Sequence, residues 1–250
     1  VSSLYQDFMQ GKCSVVTCNK IALSSSQESY DALQETCCAT EVKFKYETTV
    51  GAALPVISTI KSRVECGDKI RRIEAILSGT LNYLFSKYDG SVKFVDIVRE
   101  TKNAGYTEPD PRIDLSGTDV LRKTVILARE SGFRLEPEEI NVVPIFKFDL
   151  FSYDYQEFLL KLEECEDQIL SLYNKALSKG ERLRYIATIE NDNYNIGVKS
   201  ISPDHPFYNI NDRDNAIMIF TDEYSSPLTV SGAGAGARLT ASGLFADLLA

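Results

Sequence analysis

Residues 105–123 read GYTEPDPRIDLSGTDVLRK, and they crowd negative charge beside a single lysine, Lys123. Four carboxylates fall within twelve positions of this stretch: Glu108, Asp110, Asp114 and Asp119. Like charges this close together destabilise a fold unless a cation or a ligand neutralises them. The stretch therefore indicates either a structural cluster of ion pairs or a binding site for a cationic group.

The end of this stretch also fits an ordinary helix start. Ser116 suits an N-cap, Asp119 follows at the capping-box position, and Asp119 and Lys123 are spaced i, i+4 on one helix face. A surface ion pair of this kind contributes about 0.3–0.5 kcal/mol. The alternative is chemical, because a lysine among carboxylates keeps its proton readily and can donate it to a developing oxyanion. A neighbouring acid can then bind a substrate ammonium. This alternative predicts a small cationic or zwitterionic substrate with a reducible or hydrolysable group.

The composition narrows the classes of function. The chain has 250 residues and a formal net charge of −9, which disfavours nucleic acid and anionic membranes as partners. No apolar run approaches the roughly 18 residues that span a bilayer, and the N-terminus lacks a secretory signal pattern. With one histidine and no C-x-x-C pair, a zinc site lacks its usual ligands. The six cysteines are expected to be buried free thiols in a reducing cytoplasm.

The sequence changes in pattern on the two sides of residues 105–123. Short strands and helices alternate before this stretch, and strands cluster after it. This order predicts an α+β fold, a mixed β-sheet with helices packed on it, whereas the opening strand belongs to a separate parallel sheet. The predicted helices are 2–11, 27–38, 55–65, 80–88, 93–104, 117–130, 155–178 and 239–249. The predicted strands are 13–17, 42–49, 70–77, 183–190, 194–201, 216–221 and 227–231.

Three further stretches could carry chemistry, and each has a structural alternative. In YETTVGAALPV (46–56), Glu47 and backbone carbonyls could bind a hard cation, or the pattern marks a strand end and a helix start. In ILSGTLNYLF (76–85), the first helical N–H groups could meet an anion, or the serine is an ordinary N-cap. SGAGAGARLTASG (231–243) lacks the G-x-G-x-x-G spacing and favours close packing against another domain or a cofactor. His205 is expected to be a hydrogen-bonding loop residue.

Taken together and in this order, these stretches resemble the homoserine dehydrogenase family. Residues 105–123 are similar to its signature G-Y-x-E-P-D-P-x-x-D-L-x-G-x-D-x-x-x-K, which is long and specific. VTCNK (16–20), VGAALPV (50–56) and SGTLNYLF (78–85) resemble its V-T-x-N-K, V-G-A-G-L-P and S-G-T motifs, and GAGAGARLTASGLFADLL (232–249) resembles its C-terminal glycine motif. The likeness covers essentially the whole chain. It is nearest to the bacterial bifunctional aspartokinase–homoserine dehydrogenases.

The resemblance implies an activity, a cofactor and partners. The activity is reduction of L-aspartate 4-semialdehyde to L-homoserine by NADPH or NADH, in threonine, methionine and isoleucine biosynthesis. The implied partners are a small amino-acid substrate and further copies of the chain in a homodimer or higher homo-oligomer, with no nucleic acid and no membrane. The implied location is the cytoplasm.

The resemblance also implies roles for single residues. Lys123 matches the catalytic lysine that protonates the aldehyde oxygen, and Asp119 matches the acid one turn before it. Lys20 matches a lysine beside both cofactor and substrate, and Gly236 a glycine near the nicotinamide. The remaining implied substrate-binding residues are Gly79, Thr80, Tyr106, Glu108 and Asp114. The implied sodium site consists of Glu47 and the backbone carbonyls of Val50, Ala52 and Leu54.

This sequence departs from the family pattern at two residues and by one absence. Ala53 replaces the second glycine of V-G-A-G-L-P, and Ile113 stands where many members carry another acid. No G-x-G-x-x-G follows a first strand. We therefore expect a piece of a longer protein whose missing part is N-terminal, with poor cofactor binding and little activity by itself.

The expected domains follow from the same comparison. Residues 1–22 would end a nucleotide-binding Rossmann domain, residues 23–235 would form the substrate-binding, catalytic and dimerisation domain, and residues 236–250 would return to the nucleotide-binding domain. A rival hypothesis is a catalytically silent dimerisation module built on the late strands. A hydrolase of the Ser-His-Asp kind is disfavoured, because the one histidine, His205, lies in a loop bounded by prolines.

Overall fold

The structure, a computed structural model, describes residues 1–146, 148–191, 193–210 and 213–250. The helices are α1 (Tyr5–Gln10), α2 (Gln27–Thr40), α3 (Ile57–Glu65), α4 (Gly79–Lys87), α5 (Phe94–Asn103), α6 (Pro111–Leu115), α7 (Thr118–Glu130), α8 (Tyr155–Glu164), α9 (Glu166–Leu177) and α10 (Ala237–Leu249). The strands are β1 (Val15–Val16), β2 (Phe44–Lys45), β3 (Ile70–Ile76), β4 (Asn141–Val142), β5 (Arg182–Glu190), β6 (Asn193–Ile201), β7 (Asp214–Thr221) and β8 (Leu228–Ala233).

The main sheet confirms the predicted α+β fold. Its order is β4-β6-β5-β3-β7-β8, and it is mixed because β4 pairs in parallel with β6 while the other neighbours are antiparallel. Side chains alternate between its faces. Ile73 and Ala75 therefore join the large core beneath the helices, and Ile76 and Met218 join a smaller core closed by Phe207.

The helices that matter for function meet at the end of β3. The chain leaves that strand through Leu77 and enters α4, whose N-cap Ser78 accepts a hydrogen bond from the Leu81 N–H at 3.1 Å. Helix α7 packs against β5, and its second half is buried on all sides, with aliphatic residues that include Val125 and Leu127. Each such buried aliphatic side chain stabilises the fold by about 1.5–3 kcal/mol, which fixes α7 over the sheet.

Strands β1 and β2 form a separate two-stranded parallel sheet, as the sequence predicts for the opening strand. Val15 pairs with Phe44 and Val16 with Lys45. This small sheet therefore draws on residues from both sides of the boundary expected at residue 22.

The strand predicted at 42–49 is mostly wrong. Only Phe44–Lys45 is extended, and Glu47–Thr49 forms a 3₁₀ turn. The chain turns at Tyr46 because its ring enters the core, where its hydroxyl lies 2.8 Å from Glu130 Oε1. A tertiary contact thus overrides the alternating pattern.

The single helix predicted at 155–178 is also wrong, because it breaks at Cys165 into α8 and α9. Neither proline nor glycine lies at the break. Glu166 explains it: its carboxylate accepts hydrogen bonds from the Tyr88 hydroxyl at 2.7 Å and from the Phe94 N–H at the start of α5 at 2.8 Å. These tertiary bonds fix the new helix start.

Three smaller expectations need correction. The loop before α7 contains the short helix α6, and the N-cap of α7 is Gly117, with φ 71°, rather than Ser116. The short strand β4 was missed. The cysteines are free, as predicted, but Cys13, Cys18, Cys38 and Cys66 are exposed and the other two are half-buried, so their predicted burial is wrong.

Candidate active site

Helix α7 carries the pair that the sequence singles out. Lys123 Nζ lies 2.8 Å from Asp119 Oδ2 and donates to the backbone carbonyl of Leu77 at 2.7 Å. Lys123 is 8% exposed. Burial lowers the pKa of the Lys123 ammonium from its ordinary value, and the charge of Asp119 opposes that change. The ammonium of Lys123 is thus a better proton donor than that of an exposed lysine.

Asp119 is shared between two lysines. Its Oδ1 lies 3.2 Å from Lys20 Nζ, and its other oxygen faces Lys123. Partial burial acts to raise the pKa of the Asp119 carboxyl, but the two ammonium groups outweigh burial, so the pKa lies below its usual value. Because 46% of the Asp119 side chain stays accessible, water screens part of this attraction. The shared carboxylate fixes Lys20 and Lys123 relative to each other.

A second acid, Asp114, organises the loop around it. Its Oδ2 accepts from the Glu108 N–H at 2.9 Å, and its Oδ1 lies 3.0 Å from the Thr80 hydroxyl. That hydroxyl also lies 2.9 Å from the Tyr106 carbonyl oxygen, so it donates to one acceptor at a time. Burial, with the charges of Glu108 and Asp119, raises the pKa of the Asp114 carboxyl. The Glu108 side chain is exposed at the rim of the same site.

These groups line two adjoining cavities of about 350 and 530 Å³. The residues common to both cavities are Ser78, Glu108, Asp114, Asp119, Lys123 and Gly234–Gly236. Lys20 and Ala52 line the smaller cavity, and Gly79, Thr80 and Tyr106 line the larger one. The structure therefore brings together most of the residues that the sequence predicted.

The predicted cation ligands lie in the neighbouring turn. Glu47 accepts hydrogen bonds from the Ile57 and Ser58 N–H groups, at 2.7 and 2.8 Å, and so caps helix α3. Within the described residues, no cluster of three or more histidine, cysteine, aspartate or glutamate side chains could hold a metal ion. His205 is a loop hydrogen-bonder, 3.0 Å from Glu74 and at the start of a 3₁₀ turn, as expected.

Sequence reasoning missed two residues of this site. Asn215 is 1% exposed, and its Nδ2 donates at 3.3 Å to the same Leu77 carbonyl that holds Lys123. A Cβ on Gly234 would lie 2.1 Å from Asn215 Cγ, so the glycine loop rests directly on this amide. Arg213 lines the larger cavity. Neither residue lies in a quoted motif, and the sequence carried no signal for them beyond their position at the start of β7.

The arrangement defines a class of protein: an α+β domain with an acidic cavity whose wall carries a buried lysine ammonium. The homoserine dehydrogenase family model matches residues 55–249. The chain belongs to the homoserine dehydrogenase family.

Two curated relatives illustrate the relationship. The chain is 44% identical to the chloroplastic bifunctional aspartokinase/homoserine dehydrogenase 2 of Zea mays, covering 100% of this chain and 28% of that protein. It is 36% identical to the homoserine dehydrogenase of Saccharomyces cerevisiae, covering 100% of this chain and 71% of that protein. The chain thus spans less than a third of the bifunctional relative.

Solved structures show the same fold. A Candida auris protein of unknown function superposes with a TM-score of 0.95 at 36% identity, over 99% of this chain and 72% of that one. A hyperthermophilic archaeal homoserine dehydrogenase in complex with NADPH superposes with a TM-score of 0.76 at 24% identity, over 99% of this chain and 66% of that one. Among the described residues, no helix is both long and apolar enough to cross a membrane.

Proposed function

We propose that this chain supplies the catalytic and substrate-binding part of a homoserine dehydrogenase, which reduces L-aspartate 4-semialdehyde to L-homoserine with NADPH or NADH. The observation that carries the proposal is the position of Lys123 Nζ, held between Asp119 and the Leu77 carbonyl at the wall of an acidic cavity. The family and the names of the relatives support the reaction.

Lys123 is the proton donor in this proposal. An ammonium has three N–H bonds arranged tetrahedrally, and two of them are used by Asp119 and Leu77. The third is available to an aldehyde oxygen in the cavity. As the carbonyl carbon accepts hydride, its oxygen gains negative charge and takes the proton from Lys123. Burial lowers the pKa of the lysine and so makes that transfer easier.

The rest of the cavity binds the two charged ends of the substrate. Glu108, Asp114 and Asp119 are acceptors for the ammonium of the amino-acid aldehyde. Gly79 and Thr80 open helix α4 at the cavity wall, and neither backbone N–H has a hydrogen-bond partner within the described residues. A helix N-terminus of this kind favours the carboxylate. The Tyr106 ring forms part of the same wall.

The smaller cavity fits the nicotinamide end of a cofactor. Its wall includes Lys20, the loop up to Gly236, and Thr48, whose buried hydroxyl has no partner within the described residues. When bound, the nicotinamide supplies the hydride. Since the chain has no G-x-G-x-x-G, we propose that residues 1–22 and 236–250 join a nucleotide-binding domain of a longer protein, and that this chain alone turns over little substrate.

A sodium ion at the turn before α3 is a further part of the proposal. The ligands would be Glu47 and the carbonyls of Val50, Ala52 and Leu54, an all-oxygen set that suits a hard cation. Each Glu47 oxygen accepts a helix N–H yet keeps a second lone pair. The ion would steady the turn that places Ala52 in the cavity wall and would take no part in the chemistry.

We also propose a homodimer and a cytoplasmic location. The sheet face opposite the helices supports a dimer, because its small core is closed by one short segment around Phe207 and leaves Tyr208 and Phe220 half-buried at its margin. Light scattering would measure the mass. The location stays a prediction, since the maize relative is a chloroplast protein.

The test is homoserine oxidation in the full-length protein, followed at the nicotinamide absorbance. Lys123→Met should lower kcat by roughly 10²–10⁴-fold, the usual contribution of a general acid or base. Lys61→Met is the matched control, because Lys61 also pairs with an acid, Glu130, at 3.5 Å but lines neither cavity. A folded wild type that binds the cofactor and leaves homoserine unchanged would contradict the proposed function.

A further inference from the structure

Arg213 lies immediately before β7 and lines the larger cavity. Its guanidinium carbon is 4.1 Å from the centroid of the Tyr106 ring. Its backbone carbonyl is so close to helix α4 that a Cβ on Gly79 would lie 2.6 Å from the oxygen. The cation is therefore held at the wall that also carries the N-terminus of α4.

The larger cavity is lined by four carboxylates and two cations. The carboxylates are Glu108, Asp114, Asp119 and Asp214, and the cations are Lys123 and Arg213. Lys123 is ion-paired with Asp119, whereas Arg213 makes no ion pair within the described residues. The donors available to an anionic group are thus Arg213 and the helix N–H groups of Gly79 and Thr80, which share the wall with Asp114 and Asp214.

We propose that Arg213 binds the α-carboxylate of the substrate and so selects amino-acid aldehydes over simple amino aldehydes; this inference rests on the proposed function. A guanidinium presents a planar fork of N–H donors that matches a carboxylate. Stacking on Tyr106 occupies the face of the guanidinium and leaves its edge for hydrogen bonds. With its carboxylate at Arg213 and its ammonium at the acidic side chains, the substrate would lie across the cavity and extend towards Lys123.

The experiment compares two substrates on the full-length protein. L-Homoserine carries the carboxylate, and 2-aminobutane-1,4-diol keeps the ammonium and the reacting alcohol but has an alcohol in place of the carboxylate. Arg213→Met should raise KM for homoserine about tenfold, the loss expected for one charge-assisted contact at an exposed side chain, with kcat nearly unchanged. The ratio of kcat/KM for homoserine to that for the diol should fall by about the same factor, and Arg213→Lys should restore part of it.

Arg182→Met is the matched control. Arg182 also stacks on a tyrosine, with its guanidinium carbon 4.3 Å from the Tyr208 centroid, but it lines neither cavity. An unchanged homoserine KM in Arg213→Met, or an equal loss for both substrates, would overturn the inference while leaving the proposed function intact. A wild type that does not oxidise homoserine would remove the proposed function and this inference with it.

Discussion

Among the buried charges of helix α7, Lys123 and Glu130 lie about two turns apart and differ in whether all their hydrogen-bonding positions are occupied. Glu130 Oε1 accepts from the hydroxyls of Tyr30 at 2.9 Å and Tyr46 at 2.8 Å, and Lys61 Nζ lies 3.5 Å from its other oxygen. Burial, together with the nearby Glu130 charge, raises the pKa of both tyrosines, which therefore remain donors. Lys123 has two partners and an open cavity beyond them.

This difference distinguishes a charge that stabilises the fold from a charge that is available for catalysis. The partners of Glu130 come from α2, α3 and the turn after β2, so this carboxylate ties three segments to the end of α7. The partners of Lys123 hold it without using all its donors. A buried charge with a donor left over and a cavity in front of it is suited to chemistry.

The largest effect on stability is expected at Glu130. Glu130→Gln keeps the shape but replaces charge-assisted hydrogen bonds with neutral ones. With the amide oxygen accepting from both tyrosine hydroxyls, the amide NH2 would face the Lys61 ammonium. We expect a loss of about 2–3 kcal/mol in the free energy of unfolding, measured by urea denaturation, with the homoserine KM of the folded protein within about twofold of wild type. If Glu130→Gln instead lowered the activity and left the free energy of unfolding unchanged, Glu130 would have a functional role like that of Lys123.

A smaller effect is expected at Asp119 and concerns pH. Since Asp119 opposes the lowering of the Lys123 pKa, Asp119→Asn should lower that pKa further. Homoserine oxidation needs the neutral lysine, so its acidic limb should move to lower pH, and kcat/KM should fall about tenfold because the ammonium of the substrate loses an acceptor. The measurement is the pH profile of kcat. A limb that moves to higher pH would contradict the assigned interaction.

A smaller effect again is expected at Asn215, which acts on Lys123 through the shared Leu77 carbonyl. Asn215→Leu should lower kcat about threefold to fivefold, the effect of losing one neutral hydrogen bond to that acceptor, with KM little changed. Asn82→Leu serves as the comparison, because Asn82 Nδ2 donates to the Asp214 carbonyl and not to the Leu77 carbonyl that holds Lys123. Equal changes in both variants would indicate a purely structural role for Asn215.

The smallest effect is expected for Lys123→Met on stability. The change removes a buried cation, and Asp119 keeps Lys20 as a partner, so the free energy of unfolding at neutral pH should change by less than about 1 kcal/mol. The direction in which the free energy of unfolding changes with pH is also testable. Because the folded-state pKa of Lys123 lies below the unfolded value, the unfolded chain binds more protons between those two values, and wild-type stability gains there as pH rises. The variant should lack that gain.

Much of the site was visible in the sequence, because its motifs are local. Glu108, Asp114, Asp119 and Lys123 lie within sixteen positions, and the spacing of the last two places them on one helix face. The period-two strands and the glycine stops also predicted most elements of the main sheet. Those features depend on neighbouring residues alone.

The remainder depends on distant contacts. Tyr46 leaves its strand to reach Glu130, and Glu166 starts a new helix by bonding Tyr88 and the first N–H of α5. Likewise, Asn215 acquires its place only when β7 pairs beside β3. Propensity and periodicity carry no information about partners that lie 70 or more residues away.

Two close backbone contacts have a consequence for laboratory evolution of this chain. A Cβ at Gly234 would overlap the amide of Asn215, and a Cβ at Gly243 would lie 2.5 Å from the methyl group of Thr48 and 3.2 Å from the backbone of Ala53. A saturation library should therefore return almost only glycine at both positions, yet pairing Gly243→Ala with Thr48→Ser, which deletes that methyl group, should recover variants. Recombination libraries that separate residues 48–53 from 234–243 would break this match, so crossover points are better placed outside both segments.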